Sequence, residues 1–308
     1  MRRWLITFVM LLAVVGAMAY FLEFDKVLAI VAGCRPLDLT LAVLCFLAGT
    51  FCYAWRWRFL LPETTPWWPT FHAANIGHAG NILIPGRAGE PARIVALARI
   101  KACSAGSATS SVLVEKFVEL PTRVAFCGLA MLAGLRLDPH FLKAGLAVIF
   151  VIGSLFAGLL TFQHRALEKV PRWLGRLPRL EEERVRVYLH DLFAAAHAIA
   201  TPGKALSVIA LTGSTWSFFT LAAWLTATAL GIDHDSVGLA LLSMALVTPT
   251  GPTQPGLFHA SLIAPVVALG YPSESITAWA VLLHLYQMVL MVGLGALGWL
   301  VLDRIDPT

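Results

Sequence analysis

Six stretches of this chain, residues 4–22, 39–55, 107–135, 141–162, 205–230 and 276–302, are apolar almost without interruption. About 20 such residues are what a helix needs to cross the hydrocarbon of a bilayer. A chain built this way cannot wrap one apolar core in a polar rind. Of its residues 58% are hydrophobic and 13% charged, against roughly 25% charged in an ordinary soluble domain, so the surplus apolar surface has to face lipid. No segment between the runs is long and polar enough to form a water-soluble core. The expected fold is an all-α polytopic membrane protein, a single integral membrane domain over residues 1–308. The first run follows Arg2 and Arg3 and contains Ala17-Met18-Ala19, which resembles a signal-peptide cleavage site. Because everything downstream is also membrane-embedded, an uncleaved anchor is expected.

Two further stretches are apolar but broken. Residues 67–100 are interrupted by Asn81, Pro85-Gly86, Gly89-Glu90-Pro91 and Arg93, and residues 237–269 by the run from Thr248 to Gly256. Proline removes a backbone donor and blocks the preceding turn, so neither break continues a regular helix. Irregular backbone at membrane depth is tolerated only where protein or a water-filled cavity surrounds it. Each stretch is therefore expected to be a re-entrant or discontinuous helix lining a polar cavity, beside about six full spans.

Lysine and arginine in short loops orient such a chain, because they stay on the cytoplasmic side. Arg2, Arg3, Arg56, Arg58, Arg93, Arg99 and Lys101 mark one side, together with residues 163–204, whose basic residues are Arg165, Lys169, Arg172, Arg176, Arg179, Arg184, Arg186 and Lys204. Residues 205–303 contain no lysine or arginine. Both termini and the 163–204 loop are thus expected to be cytoplasmic. The net charge of +5 then reflects contact with anionic lipid headgroups rather than nucleic acid.

Threaded through these assignments, residues 37–135 and 205–302 run in opposite directions, and Pro255-Gly256 follows Pro85-Gly86 by 170 residues. Paired Pro/Gly breaks at corresponding places of two inverted halves point to a transporter binding site. Coincidence between two kinked helices is the alternative.

The first break carries charge. Burying a lone carboxylate is costly, so Glu90 is expected to pair with Arg87 or Arg93. Arg93 shares its face if a helix begins near Gly89. Such a pair serves either as a structural salt bridge or, since the guanidinium fork matches a phosphate, as a substrate contact; the sequence leaves both open. On the next span Glu115, Glu119 and Arg123 recur every four residues, with Lys116 beside them and Pro121 adding a kink. Glu119 and Arg123 have the order of an intrahelical pair, which leaves Glu115 and Lys116 to face the broken segment. The second break offers only uncharged groups, Thr248, Thr250, Thr253, Gln254, Pro255, Gly256 and His259. The 163–204 loop reads as an amphipathic interfacial helix or as a solvated loop with a helical end.

The five cysteines have no CxxC spacing, and His72 and His78 do not share a helical face. There is no G-x-S-x-G, nucleotide loop or H-E-x-x-H. No catalytic residue, metal or cofactor is expected.

At these residues the chain resembles the lysylphosphatidylglycerol synthase transmembrane family, the membrane part of bacterial proteins that make and flip aminoacylated lipids. The resemblance rests on Asn81 to Arg93, on Val114-Glu115-Lys116-Phe117-Val118-Glu119 and on Pro255-Gly256. Lys116 stands where arginine is usual and Glu119 where aspartate is usual, and the family's aminoacyl-transferase domain has no counterpart in these residues. The resemblance implies a translocase for a phospholipid or another lipid with a polar headgroup, such as a polyprenyl or hopanoid compound. Its partners would be membrane lipids with anionic headgroups, and a lipid-synthesis enzyme. A membrane-embedded transferase acting on a lipid-linked substrate, or a non-catalytic scaffold, is the alternative.

Overall fold

The computed structural model describes residues 29–84, 88–175, 181–198, 201–232, 235–247 and 257–305. Outside them lie the run 4–22 with the question of its cleavage, Pro85, Gly86 and Arg87 of the first break, and residues 248–256 of the second, among them Thr253, Gln254, Pro255 and Gly256.

Among the described residues all regular structure is helical. The first half of the chain forms α1 (Pro36–Leu60), α2 (Trp67–Leu83), α3 (Gly89–Arg99) and α4 (Ala105–Leu132). Then come α5 (Pro139–Thr161), α6 (Gln163–Leu174) and α7 (Glu182–Ala198), followed by α8 (Pro202–Ala229), α9 (Ser236–Val247), α10 (Leu257–Ala268) and α11 (Ser273–Ile305). Pro36 and Pro202 open α1 and α8, where a missing N–H costs nothing. Ser104 caps α4 by accepting the Ser107 N–H at 3.0 Å.

Three helices, α1, α8 and α11, are long and apolar enough to cross a membrane, and the chain is an all-α integral membrane protein. Of the other expected spans, α4 has 28 residues but carries Glu115, Lys116, Glu119 and Arg123, so its charged face needs protein around it. On α5 an apolar stretch among the described residues runs from Leu142 to Leu155.

The centre of the molecule is the antiparallel pair α1 and α8. The Arg35 N–H at the start of α1 donates to the Ala229 carbonyl at the end of α8 at 2.8 Å, and beyond the other end of α1 Glu63 meets Lys204 at 2.5 Å. Between these ties Phe46 lies 5.2 Å from the Phe219 ring. The long contact has two chemical consequences: Tyr53, Trp57 and Leu60 of α1 join Val208 of α8 in one apolar core, while Phe46 joins Trp216, Phe219 and Trp279 in another.

Each broken stretch forms a helical hairpin. Leu97 of α3 and Leu302 at the end of α11 pack with Leu60 and Leu61, and Arg99 meets Asp303 at 2.8 Å. The α2–α3 hairpin therefore starts and ends at the end of the bundle that holds Glu63 and Lys204. The α9–α10 hairpin starts and ends at the opposite end, where Tyr271 donates to Asp235 at 2.7 Å. Against each hairpin lies a helix of the other half, α11 along α2 and α4 along α9. On α11 a Cβ at Gly298 would fall 2.7 Å from the His72 carbonyl oxygen, so the backbones approach as only small residues allow.

Within the 163–204 segment the structure describes residues 163–175 and 181–198 ahead of α8. They form two helices, and α7 docks on α4, burying Phe193, Ala195 and Ala196. Sequence period alone cannot tell a bilayer from a neighbouring helix as the partner of an apolar stripe.

Candidate functional site

Four helices converge on one charged cluster. From α4, Glu115 and Glu119 are fully buried. From α3, Arg93 places its fork on Glu115, donating from Nη1 to Oε2 at 3.1 Å and from Nη2 to Oε1 at 3.0 Å. The same Nη2 lies 2.6 Å from Glu90 Oε2, one turn back on α3. Glu90 also holds Lys116 Nζ at 3.0 Å, and Lys116 reaches Glu119 at 3.2 Å. From α1, Arg56 donates to Glu119 at 2.6 Å and lies 3.4 Å from Glu115, and the Tyr53 hydroxyl donates to Glu115 at 2.6 Å. From α2, His78 sets its ring 4.6 Å from Tyr53. Arginine 56, arginine 93 and lysine 116 thus balance three carboxylates, which is the condition for keeping such groups inside a membrane protein.

The local sequence explains how α3 delivers its charges. Gly89 begins α3 and donates its N–H to Asn81 Oδ1 at 2.9 Å, so the last turn of α2 caps the returning helix. Gly77 and Gly80 of α2 lie against Gly89; a Cβ on Gly89 would fall 1.9 Å from the Gly77 carbonyl oxygen. With α3 starting there, Glu90 and Arg93 fall one turn apart and share a face.

By position in the sequence Arg56 groups with Arg58 as a loop charge just after an apolar run. It is instead inside α1 with no exposed surface, because the helix continues past Trp55 to Leu60. Tyr53, Arg56, Trp57 and Leu60 recur at helical spacing, and that pattern carried the signal. Trp57 supports the cluster by placing its ring 4.5 Å from the Arg93 guanidinium and by donating to Ser111 at 2.9 Å. The expected Glu119–Arg123 pair does not form; Arg56 and Lys116 take Glu119 instead. A buried carboxylate gains more from a cation held on a neighbouring helix than from one four residues along its own surface. Arg123 faces a groove beside α5.

The cluster opens on a cavity between the two hairpins. A space of about 80 Å³ open to water-sized molecules lies among Tyr53, His78, Asn81 and Glu90 on one wall and His284 and Gln287 of α11 on the other. Phe46, Phe219, Met244, Phe258, Leu283 and Met291 form its apolar lining. His259 of α10 stands edge-on to His284 at 5.0 Å, and Phe258 stacks on His284 at 4.2 Å. The sequence reading named His259 but missed His284 and Gln287, which sit unmarked in an apolar run and face inward only because α11 crosses α2.

A family model for the lysylphosphatidylglycerol synthase TM region matches residues 4–295 of the chain. No curated protein and no solved structure matches it.

Proposed function

From the chain's membership of the lysylphosphatidylglycerol synthase transmembrane-region family, we propose that it moves a lipid with a polar headgroup across the bilayer through the cavity between its two hairpins. The carrying observation is that one cavity is lined by both hairpins and by the central pair, with Glu90 and His78 among its polar groups from the first hairpin and His284 and Gln287 from α11. A headgroup crossing hydrocarbon needs polar partners throughout, and here they sit inside an otherwise apolar lining.

The two halves are read as inverted counterparts. The contact scheme supports this: α1 faces α8, α2 faces α11 and α9 faces α4, so each packing contact has a partner under exchange of the halves.

The test uses purified protein in phosphatidylcholine vesicles with a trace of headgroup-labelled phosphatidylglycerol, following both leaflet exchange and chemical change of the lipid. Transport predicts unchanged lipid moving faster than in protein-free vesicles. A modified lipid would instead establish the transferase reading. Glu90→Ala is expected to slow exchange tenfold or more, about 1.4 kcal/mol in the barrier, and to leave membrane insertion intact. Arg93 keeps Glu115 and Lys116 keeps Glu119 when Glu90 is gone. Arg87→Ala is expected to act alike. Full activity in both variants would show that the site is misplaced.

The proposed orientation places both termini and residues 163–204 on the cytoplasmic side of a bacterial membrane. It is supported by Arg58, Arg99, Lys101 and Lys204 at one end of the bundle, whereas Arg35 and Arg136 lie at the other. Single cysteines introduced at residues 172–186 in a cysteine-free background should resist a membrane-impermeant reagent applied to intact cells. Strong labelling there would invert the topology.

A further inference from the structure

Ionisable side chains are rare inside membrane proteins and mark the paths of ions and protons. Three of the chain's nine histidines gather around the central cavity. His78 of α2 and His284 of α11 line it, and His259 of α10 stands edge-on to His284 at 5.0 Å. The first hairpin, the helix crossing it and the second hairpin thus contribute one imidazole each.

Packing alone does not account for these rings. His284 is 3% exposed and stacks on Phe258, a place that an apolar ring would fill without burying nitrogen. Among the described residues the buried Nε2 of His78 has no hydrogen-bond partner, and burying such an atom costs free energy. The other polar groups of the cavity have settled charge. Glu90 is matched by Arg93 at 2.6 Å and Lys116 at 3.0 Å, the Tyr53 hydroxyl donates to Glu115 at 2.6 Å, and Asn81 and Gln287 do not titrate. Histidine is the side chain whose ordinary charge change falls between about pH 5 and 8.

The surroundings make that change consequential. His78 feels Glu90 and Arg93 of α3 and Glu115 and Lys116 of α4, and Tyr53 of α1 lies against its ring. His284 meets His259, and across the cavity Tyr53, His78 and Glu90; among the described residues α8 and α9 bring Phe219 and Met244 to the cavity, neither of which titrates. Because Arg56, Arg93 and Lys116 already balance Glu90, Glu115 and Glu119, neutral histidines leave these walls without net charge. A proton on either lining histidine adds an unmatched charge away from water, which is unfavourable until a headgroup brings the opposite one. Each then favours binding of the other, by reciprocal linkage.

We propose that the central cavity is also a proton site: His78 and His284 take up one proton with the headgroup, and the two cross as an electroneutral load. The proton enters on a ring nitrogen from water on the side to which the cavity is open. It leaves from that nitrogen to water on the other side, with no other bond made or broken. His259 extends the path from His284 into the second hairpin.

The inference rests on the translocase reading and adds the coupled ion. The full chain is reconstituted in phosphatidylcholine vesicles with a trace of headgroup-labelled phosphatidylglycerol and a pH dye in the lumen, the membrane potential being clamped at zero. A difference of one pH unit is expected to enrich the label up to about tenfold in the leaflet on the alkaline side, the limit for one proton per lipid. Without a gradient, lipid added to the outer leaflet should acidify the lumen as it crosses. His78→Gln and His284→Gln keep a polar side chain that cannot take up a proton, and each should leave the label even between the leaflets. A variant that is merely slower reaches the parental distribution in time, so the end point separates lost coupling from damaged packing. If a variant moves no lipid, the parent's dye signal decides: acidification upholds coupling and its absence overturns it. An even distribution in the parent despite the gradient, or enrichment that both variants retain, overturns the proposal and leaves the translocase reading standing. Absence of any exchange in the parent overturns both.

Discussion

Glu115→Ala is expected to destabilise the protein by about 3–5 kcal/mol, the range for removing one partner from a buried ion pair. Glu115 accepts both arms of the Arg93 fork and the Tyr53 hydroxyl, and lies 3.4 Å from Arg56. Its loss leaves two fully buried guanidinium groups sharing what Glu90 and Glu119 supply. The cost comes from the orphaned positive charge rather than from any one lost contact, which gives the prediction a second arm. Glu115→Ala combined with Arg93→Met should recover part of the stability, since an apolar replacement of a whole buried pair is often tolerated. Recovery of monodisperse protein after heating in detergent reads both. A single variant as heat-resistant as the parent would mean that the cluster is hydrated and contributes little.

Gly89→Ala is expected to cost about 3 kcal/mol, the upper end of the usual penalty for overpacking. The added methyl would fall 1.9 Å from the Gly77 carbonyl oxygen and 2.5 Å from Asn81 Cγ. The first of these is backbone and cannot swing aside. Relief has to come from moving α3 off α2, which carries Glu90 and Arg93 away from Lys116 and Glu115. Exchange of lipid should therefore fall even in the fraction that remains folded. Gly153→Ala on α5, where nothing lies within 4 Å, should change neither heat resistance nor exchange and serves as the control. If Gly89→Ala behaves like Gly153→Ala, the close crossing of α2 and α3 does not hold the charged residues in place.

Much of the site could be read along the chain. Proline and glycine clustered inside an apolar run mark where a helix is interrupted, and Gly89 does open α3, whereas the lone Pro121 and Pro265 stay inside α4 and α10. Charges at helical spacing within a span have to find interior partners, and Glu90, Arg93, Glu115 and Lys116 do assemble. Choice of partner was less legible. Glu119 has Arg123 in the favourable place on its own helix, yet pairs with Arg56 from α1 and with Lys116, because an ion pair between helices depends on where their faces meet. The same limit hid Arg56 as a site residue: placed just after an apolar run it looks like a loop charge, and only the extension of α1 to Leu60 brings it inside.

By itself, then, the sequence determined the solvent of this protein, its helical class and the points where its helices break. These follow from the transfer energy of apolar side chains and from the stereochemistry of proline and glycine, which act residue by residue. The tertiary structure decided which charges neutralise one another, that α7 docks on α4, and that His284 and Gln287 face Glu90 across one cavity. Those facts depend on crossings between helices far apart in the chain, α1 with α8 and α2 with α11, where packing of small residues and balance of buried charge select one arrangement among many that the apolar pattern allows.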